Sequence, residues 1–234
     1  MRADVRHDAM ILYYTPGTCA LGAMALLRHS EIPFQLCHVP RDARMGPVFR
    51  TINPHGHVPT LLTDDDRVVW EASAVLNHIA RKAGGNLLPK VGSAAEDELF
   101  QWYSYLSSEF HAAFYPVFKP QLFLRDTTAH DDLRRDSLKN VRRQLAYIDV
   151  HLEDRRHVMG DTFGVLDAYL FSMARWGERF FEFNREFPSL ARYLERMRAE
   201  PSIAFSLAIE AGEEVPIGKN GYKGPVDLMS RQAL

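Results

Sequence analysis

The sequence predicts a two-domain α+β chain, a β-α-β-β-β-α N-terminal domain followed by an all-α C-terminal domain. Short apolar runs bounded by Pro, Gly or Asp alternate with helical stretches through the first third of the chain. Beyond residue 94 a spacing of three and four takes over, and no further strand is expected. The composition is that of an ordinary globular chain: 234 residues, 46% hydrophobic and 25% charged. A formal net charge of −2 gives no electrostatic footing for nucleic acid or for an anionic membrane. No apolar run reaches membrane-spanning length. Two cysteines do not make a disulfide scaffold; they suit a reducing, cytoplasmic setting and leave room for a working thiol. The opening "MRADVRHDAM" is charged and lacks the apolar core of a secretory signal. Residues 1–9 are expected to form a disordered lead, with Met10 as an alternative start.

The elements run in order along the chain. "MILYY", residues 10–14, reads as a buried strand before a Pro-Gly turn. Ala20 to Arg28, dense in Ala, Leu and Met, reads as a helix, and "PFQLCHV" from Pro33 to Val39 as a second strand. Together they form a βαβ unit. "VPTLLTD" and "RVVWEA" read as a hairpin around Asp64-Asp65-Asp66, and Glu71 to Lys82 as a helix ending at Gly84-Gly85. In the second half, Glu96 to Tyr115 reads as one helix stopped or kinked by Pro116. Leu138, Val141, Leu145, Ile148 and Leu152 mark an amphipathic helix, and Val165 to Phe183, apolar nearly all round, a central buried one. Pro188 opens a helix to Ala199. The expected domains are therefore 10–87 and 94–214, with 215–234 as an extended tail.

Three stretches carry chemistry. In "YYTPGTCALGAMALL", Cys19 stands after a Pro-Gly turn and just before a helix. Free N–H groups and the positive dipole end at a helix start stabilise a thiolate. Position alone leaves a reactive thiol and a packed core cysteine equally open. In "NPHGHVPTL", Val58-Pro59 opens a strand, an awkward place for proline unless its missing N–H is harmless. In a thioredoxin-like layout a cis-proline sits here beside the reactive helix start, and the residue before it offers backbone N–H and C=O to a ligand. In "WEASAVLNHIA", Glu71-Ala72 lies at another helix start. The N–H groups there suit a carboxylate, and Glu71 suits an ammonium group or serves only as a first-turn acid.

These stretches, with "EFHAAFYPVFKP" and "FGVLDAYLFSMARW", resemble the glutathione transferases, and most closely the bacterial cysteine-containing beta class. The resemblance runs from Met10 to Gly212. It implies a thioredoxin-like glutathione-binding domain, an all-helical domain, glutathione as co-substrate, a small apolar electrophile toward the helices, a homodimer, and a detoxifying role in the cytoplasm. Residue by residue, it makes Cys19 the catalytic cysteine that contacts the glutathione sulfur and forms a mixed disulfide with it. Tyr14 matches a tyrosine near that thiol. Arg44, with Arg41 close behind, matches a basic residue for the glycine carboxylate. Val58 and Pro59 match the backbone clamp on the cysteinyl unit, and Glu71 and Ala72 the γ-glutamyl site. His111 matches a histidine serving the thiol region, and Ser104 an asparagine position; their spacing of seven puts them on one helical face. Three departures stand out: Ala20 and Ala72 replace serines, and Ser104 is shorter than asparagine. Each lost contact to a charged group costs about 1.5–3 kcal/mol.

The activity implied is transfer of glutathione to electrophiles, with thiol–disulfide exchange through Cys19 as its companion. The alternatives are another glutathione enzyme (peroxidase, thiol transferase or lyase) or a binding protein on the same fold that has lost catalysis. No metal is expected, because His55 and His57 lack further ligands at a recognisable spacing. Cys37, inside a strand, is expected to be inert. Asp167, in Gly164-Val165-Leu166-Asp167, is expected to be structural, bonding back to free N–H groups at its helix start. "RRDSLKNVRRQ" reads as a solvated helix face.

Overall fold

The computed structural model describes residues 9–228. Of the expected lead, residues 1–8 lie outside the described residues, and Ala9 is already buried. The last residues of the expected tail, 229–234, lie outside them as well. Among the described residues two compact units emerge, one formed by 9–88 together with 198–228, the other by Pro89–Met197. No helix among the described residues is long and apolar enough to cross a membrane.

The first unit contains β1 (Met10–Tyr14), α1 (Ala20–Ser30), β2 (Phe34–His38), α2 (Pro47–Ile52), β3 (Thr60–Leu62), β4 (Val68–Trp70) and α3 (Ala72–Ala83). This is the expected β-α-β-β-β-α order, with α2 as an unforeseen short helix. β1 runs parallel to β2 and antiparallel to β3, and β3 and β4 form the expected hairpin. Every residue of α1 from Ala20 to Leu27 is buried. Full burial of a leucine or methionine there is worth about 1.5–3 kcal/mol.

The C-terminal residues correct two expectations. The helix Pro201–Ala211 and a strand at Tyr222–Pro225 belong to the first unit, not to the helical domain or to a separate tail. That strand, β5, lies parallel to β2, so the sheet order is β4-β3-β1-β2-β5. "YKGP" carries no strand pattern. It pairs because β2 would otherwise present an open row of amides and carbonyls: the Phe34 amide donates to Gly221 and the Val226 amide to Leu36, both at 2.9 Å. The Tyr222 ring packs on Phe34 and Phe205.

The second unit comprises α4 (Ala94–Tyr105), α5 (Ala112–Phe118), α6 (His130–His151), α7 (Val165–Ala174), α8 (Phe183–Glu186) and most of α9 (Pro188–Ala199); Pro201–Ala211 is α10. Val141, Leu145 and Ile148 bury the apolar stripe of α6. Its other face carries exposed pairs such as Arg135–Asp132 and Lys139–Asp136, in keeping with the charge pattern. The expected single helix 96–115 is three pieces, because a π-helical segment, Leu106–His111, separates α4 from α5. Pro116 lies inside α5, which ends two residues later at Phe118. The expected helix 165–183 ends at Ala174. A short helical turn, Gly177–Arg179, follows, and close packing demands its glycine: a Cβ there would sit 2.8 Å from the Phe183 ring and 2.9 Å from Leu145.

Candidate active site

The register of three neighbouring strands decides where the site residues meet. Tyr13 pairs with Thr60, and Thr60 with Trp70. Tyr14, Pro59 and Glu71, each adjacent to one of these, therefore come to the same end of β1, β3 and β4. β2 ends there too, with Tyr14 opposite His38. The turn leaving β1 at this end delivers Cys19 to the start of α1.

That turn is tied down by its own threonines. The Thr15 hydroxyl donates to the Val39 carbonyl at 2.6 Å. The Thr18 hydroxyl donates to the Thr15 carbonyl at 2.7 Å and accepts from the Ala20 amide at 3.3 Å. Cys19 occupies the N-cap position of α1 with no side-chain cap of its own. The helix start thus turns its positive dipole end toward the thiol. The Cys19 sulfur lies 3.8 Å from the Val58 carbonyl oxygen, and the Val58–Pro59 bond is cis. Cys19 is 6% exposed, whereas Cys37 is fully buried in the sheet core.

Asn53 builds the loop that presents Val58. Fully buried, it donates from Nδ2 to the His57 carbonyl at 3.0 Å and to the Thr60 hydroxyl at 2.9 Å, and its Oδ1 accepts from the His55 amide. Sequence reasoning misses both Asn53 and Thr18. The signals that mark them are an Asn-Pro pair opening a turn and a threonine just ahead of a helix.

Glu71 is exposed, caps nothing with its side chain, and stands at φ +69 before α3. A non-glycine residue held in that region costs about 1–3 kcal/mol, and such strain collects where a chain meets a ligand. Ala72 is buried, and with no polar side chain it has only its backbone N–H to offer. Arg41 reaches the Cys19 turn, its guanidinium donating to the Pro16 carbonyl at 3.3 Å. Arg44 lies in the short helical turn Ala43–Met45 and donates to the Arg41 carbonyl. Arg41 is thus in direct contact with the turn. Tyr14 is half-buried, and burial first, then the neighbouring Tyr222, Glu210 and Cys37, push its hydroxyl up to about 12.

In the second unit, His111 ends the π-helical segment. Its ring stacks on Tyr115 and leans on Trp176, each at 5.3 Å between centroids. The expectation that Ser104 and His111 share a helical face does not hold. A π-helical turn inserts an extra residue, which rotates the succeeding residues by about 100°, and Ser104 is exposed while His111 is half-buried. His55 stacks on Trp70 at 4.7 Å and lies 6.2 Å from His57. Among the described residues no group of three or more His, Cys, Asp or Glu is placed to hold a metal ion.

The profile of the glutathione S-transferase N-terminal domain matches residues 17–82, and that of the glutathione S-transferase C-terminal domain residues 105–201. The glutathione S-transferase GstA of Escherichia coli O157:H7 is 30% identical over 206 residues, covering 86% of this chain and 98% of the relative. The glutathione S-transferase GST-4.5 of Xanthomonas campestris pv. campestris is 30% identical over 202 residues with the same coverage. Among solved structures, a sphingomonad glutathione S-transferase complexed with glutathione superposes with a TM-score of 0.76 at 31% identity, covering 86% of this chain and 98% of that one. The bacterial beta class glutathione S-transferase of Sphingomonas chungbukensis gives 0.75 at 31% identity with the same coverage.

Proposed function

The chain belongs to the glutathione S-transferase family, and from that premise we propose that it transfers glutathione to small apolar electrophiles, with Cys19 facing the glutathione sulfur. One observation supports this reading above the others: the cis Val58–Pro59 bond, the strained Glu71 and the start of α1 gather at one end of the sheet, with the Cys19 sulfur 3.8 Å from Val58. In this reading the Val58 backbone pairs with the cysteinyl unit as an added strand would. Glu71 receives the γ-glutamyl ammonium, and the amide of Ala72 its carboxylate. Arg44 or Arg41 holds the glycine carboxylate, and Tyr14 completes the contacts.

In conjugation, the glutathione thiol gives up its proton, its sulfur bonds to the electrophilic carbon, and the leaving group departs with its electron pair. The positive end of α1 favours the thiolate. In the companion exchange reaction, the Cys19 thiolate attacks oxidised glutathione. One glutathionyl unit becomes disulfide-bonded to Cys19 and the other leaves as its thiolate. On the same reading the protein works in the cytoplasm as a homodimer and needs no metal.

The test is retention on immobilised glutathione followed by turnover of a chlorinated nitrobenzene. Retention and turnover are expected. Neither retention nor turnover would turn the reading into that of a non-catalytic binding protein.

A further inference from the structure

Glu210 stands where helix physics does not favour it. It is the penultimate residue of α10, in a last turn whose free carbonyls carry the negative end of the dipole. Its carboxylate reaches beyond its own helix. One oxygen accepts from the Gly17 amide at 3.0 Å, across 193 residues of chain. On the other side of that link, the Arg41 guanidinium donates to the Pro16 carbonyl at 3.3 Å. The Pro16 carbonyl and the Gly17 amide are the two polar groups of one peptide bond. A single peptide plane, two residues ahead of Cys19, is therefore held at its oxygen by a cation and at its hydrogen by an anion.

The orientation of that plane decides which of two turn types the segment adopts. Pro16 and Gly17 occupy the central positions of a turn whose ends are tied by the Thr18 hydroxyl on the Thr15 carbonyl. Gly17 sits at φ +77, the type II arrangement that glycine permits. Rotating the Pro16–Gly17 peptide would give the type I form and change the approach to Cys19. The anion is also placed with care. α10 packs on α1, the Arg28 guanidinium lies over the Phe205 ring at 4.6 Å, and Phe205 packs on Phe34 and Tyr222. Beyond α10, the Lys219 carbonyl accepts from Arg28 and Asn220 donates to Glu31, at the far end of α1. The C-terminal segment thus grips the helix that bears Cys19 at both ends.

We propose that Glu210 is a positioning residue for the reaction: with Arg41 it clamps the Pro16–Gly17 peptide and so fixes the turn that presents Cys19. The inference rests on the functional reading above, but its test does not depend on glutathione alone. In E210A the Gly17 amide proton resonance shifts upfield, and its hydrogen exchange, read by NMR without ligand, quickens on the order of tenfold. The kcat for conjugation falls about fivefold while the KM for glutathione holds, the loss expected for one partly exposed hydrogen bond that aligns rather than binds. In E210Q the amide oxygen still accepts, and kcat returns to within about twofold of wild type. An unmoved Gly17 resonance, an unchanged kcat, or an E210Q no better than E210A overturns the proposal. Should E210A melt early, E210D, one methylene short of the amide, is read in its place with the same outcomes. A wild-type protein not retained on glutathione overturns the functional reading instead, since the Gly17 resonance reports on the clamp with no glutathione present.

Discussion

Two helix starts in this molecule solve the same problem in opposite ways. At α7, Gly164 brings no side chain to the cap, and Asp167 supplies everything. Its carboxylate accepts from the Gly164 amide at 2.9 Å, the Val158 amide at 3.0 Å and the Tyr193 hydroxyl at 2.9 Å, with His157 Nδ1 3.3 Å away. At 1% exposure, it is sealed. At α1, the N-cap is a cysteine with no cap bond; a neighbouring threonine takes one amide, and the sulfur is left against a carbonyl at 3.8 Å. The first start uses a charge to satisfy donors and is finished as structure. The second keeps its dipole directed at a soft, polarisable atom, which is what thiol chemistry needs.

The largest effect that can break this contrast is the loss of Asp167. Asp167→Ala strands the buried Val158 amide and the half-buried Gly164 amide and leaves the Tyr193 hydroxyl only the backbone carbonyl of residue 167 at 3.4 Å, at about 1–3 kcal/mol for each unsatisfied amide, or about 2–6 kcal/mol in all. Thermal melting followed by circular dichroism is expected to drop by roughly 10 °C. A Tm within a degree of wild type would mean that the α7 start is not held as the geometry indicates.

Cys19→Ala sharpens the contrast from the other side. Removing a thiol that satisfies no cap leaves Tm nearly unchanged, within about 1 kcal/mol of stability. The chemistry changes instead: the mixed disulfide with glutathione and the exchange activity disappear, while conjugation survives in part because glutathione brings its own sulfur. Mass spectrometry after treatment with oxidised glutathione reads the outcome. Labelling at Cys37 with Cys19 spared would move the site elsewhere, although full burial of Cys37 argues against it.

The same contrast explains what the sequence makes legible. The Asp167 box and the Cys19 start are local, written in four or five consecutive residues, and both can be read from spacing and cap preference. So can the Pro188 helix and the strands that bring Tyr14, Pro59 and Glu71 together. Three things resist reading. β5 is a strand by virtue of its partner, since "YKGP" has neither alternation nor β-branched residues. The π-helical turn before His111 leaves no composition mark, yet it rotates Ser104 off the expected face. The Glu210–Gly17 contact joins residues 193 apart; no periodicity encodes it, and only the packing of α10 on α1 creates it.

The smallest effect separates the two starts by their tyrosines. Tyr193 donates to Asp167, and burial first, then that carboxylate, raises its hydroxyl well above the ordinary value. Tyr14, beside the Cys19 turn and only half-buried, is pushed up to about 12. Both shifts are upward, so folding binds the phenolic protons more tightly than the unfolded chain does. Their contribution to stability is complete below about pH 10, where an unfolded tyrosine begins to ionise, and is lost as pH rises through the folded values. Stability is therefore expected to decline from about pH 10 upward. In the alkaline absorbance titration, Tyr14 appears as a reversible step near 12, while Tyr193 ionises only as the protein unfolds. Spectra of Tyr14→Phe and Tyr193→Phe assign the two. A reversible Tyr193 step below the unfolding transition would show that the α7 start opens to water as readily as the turn at Cys19, and the distinction between a sealed start and a working one would be gone.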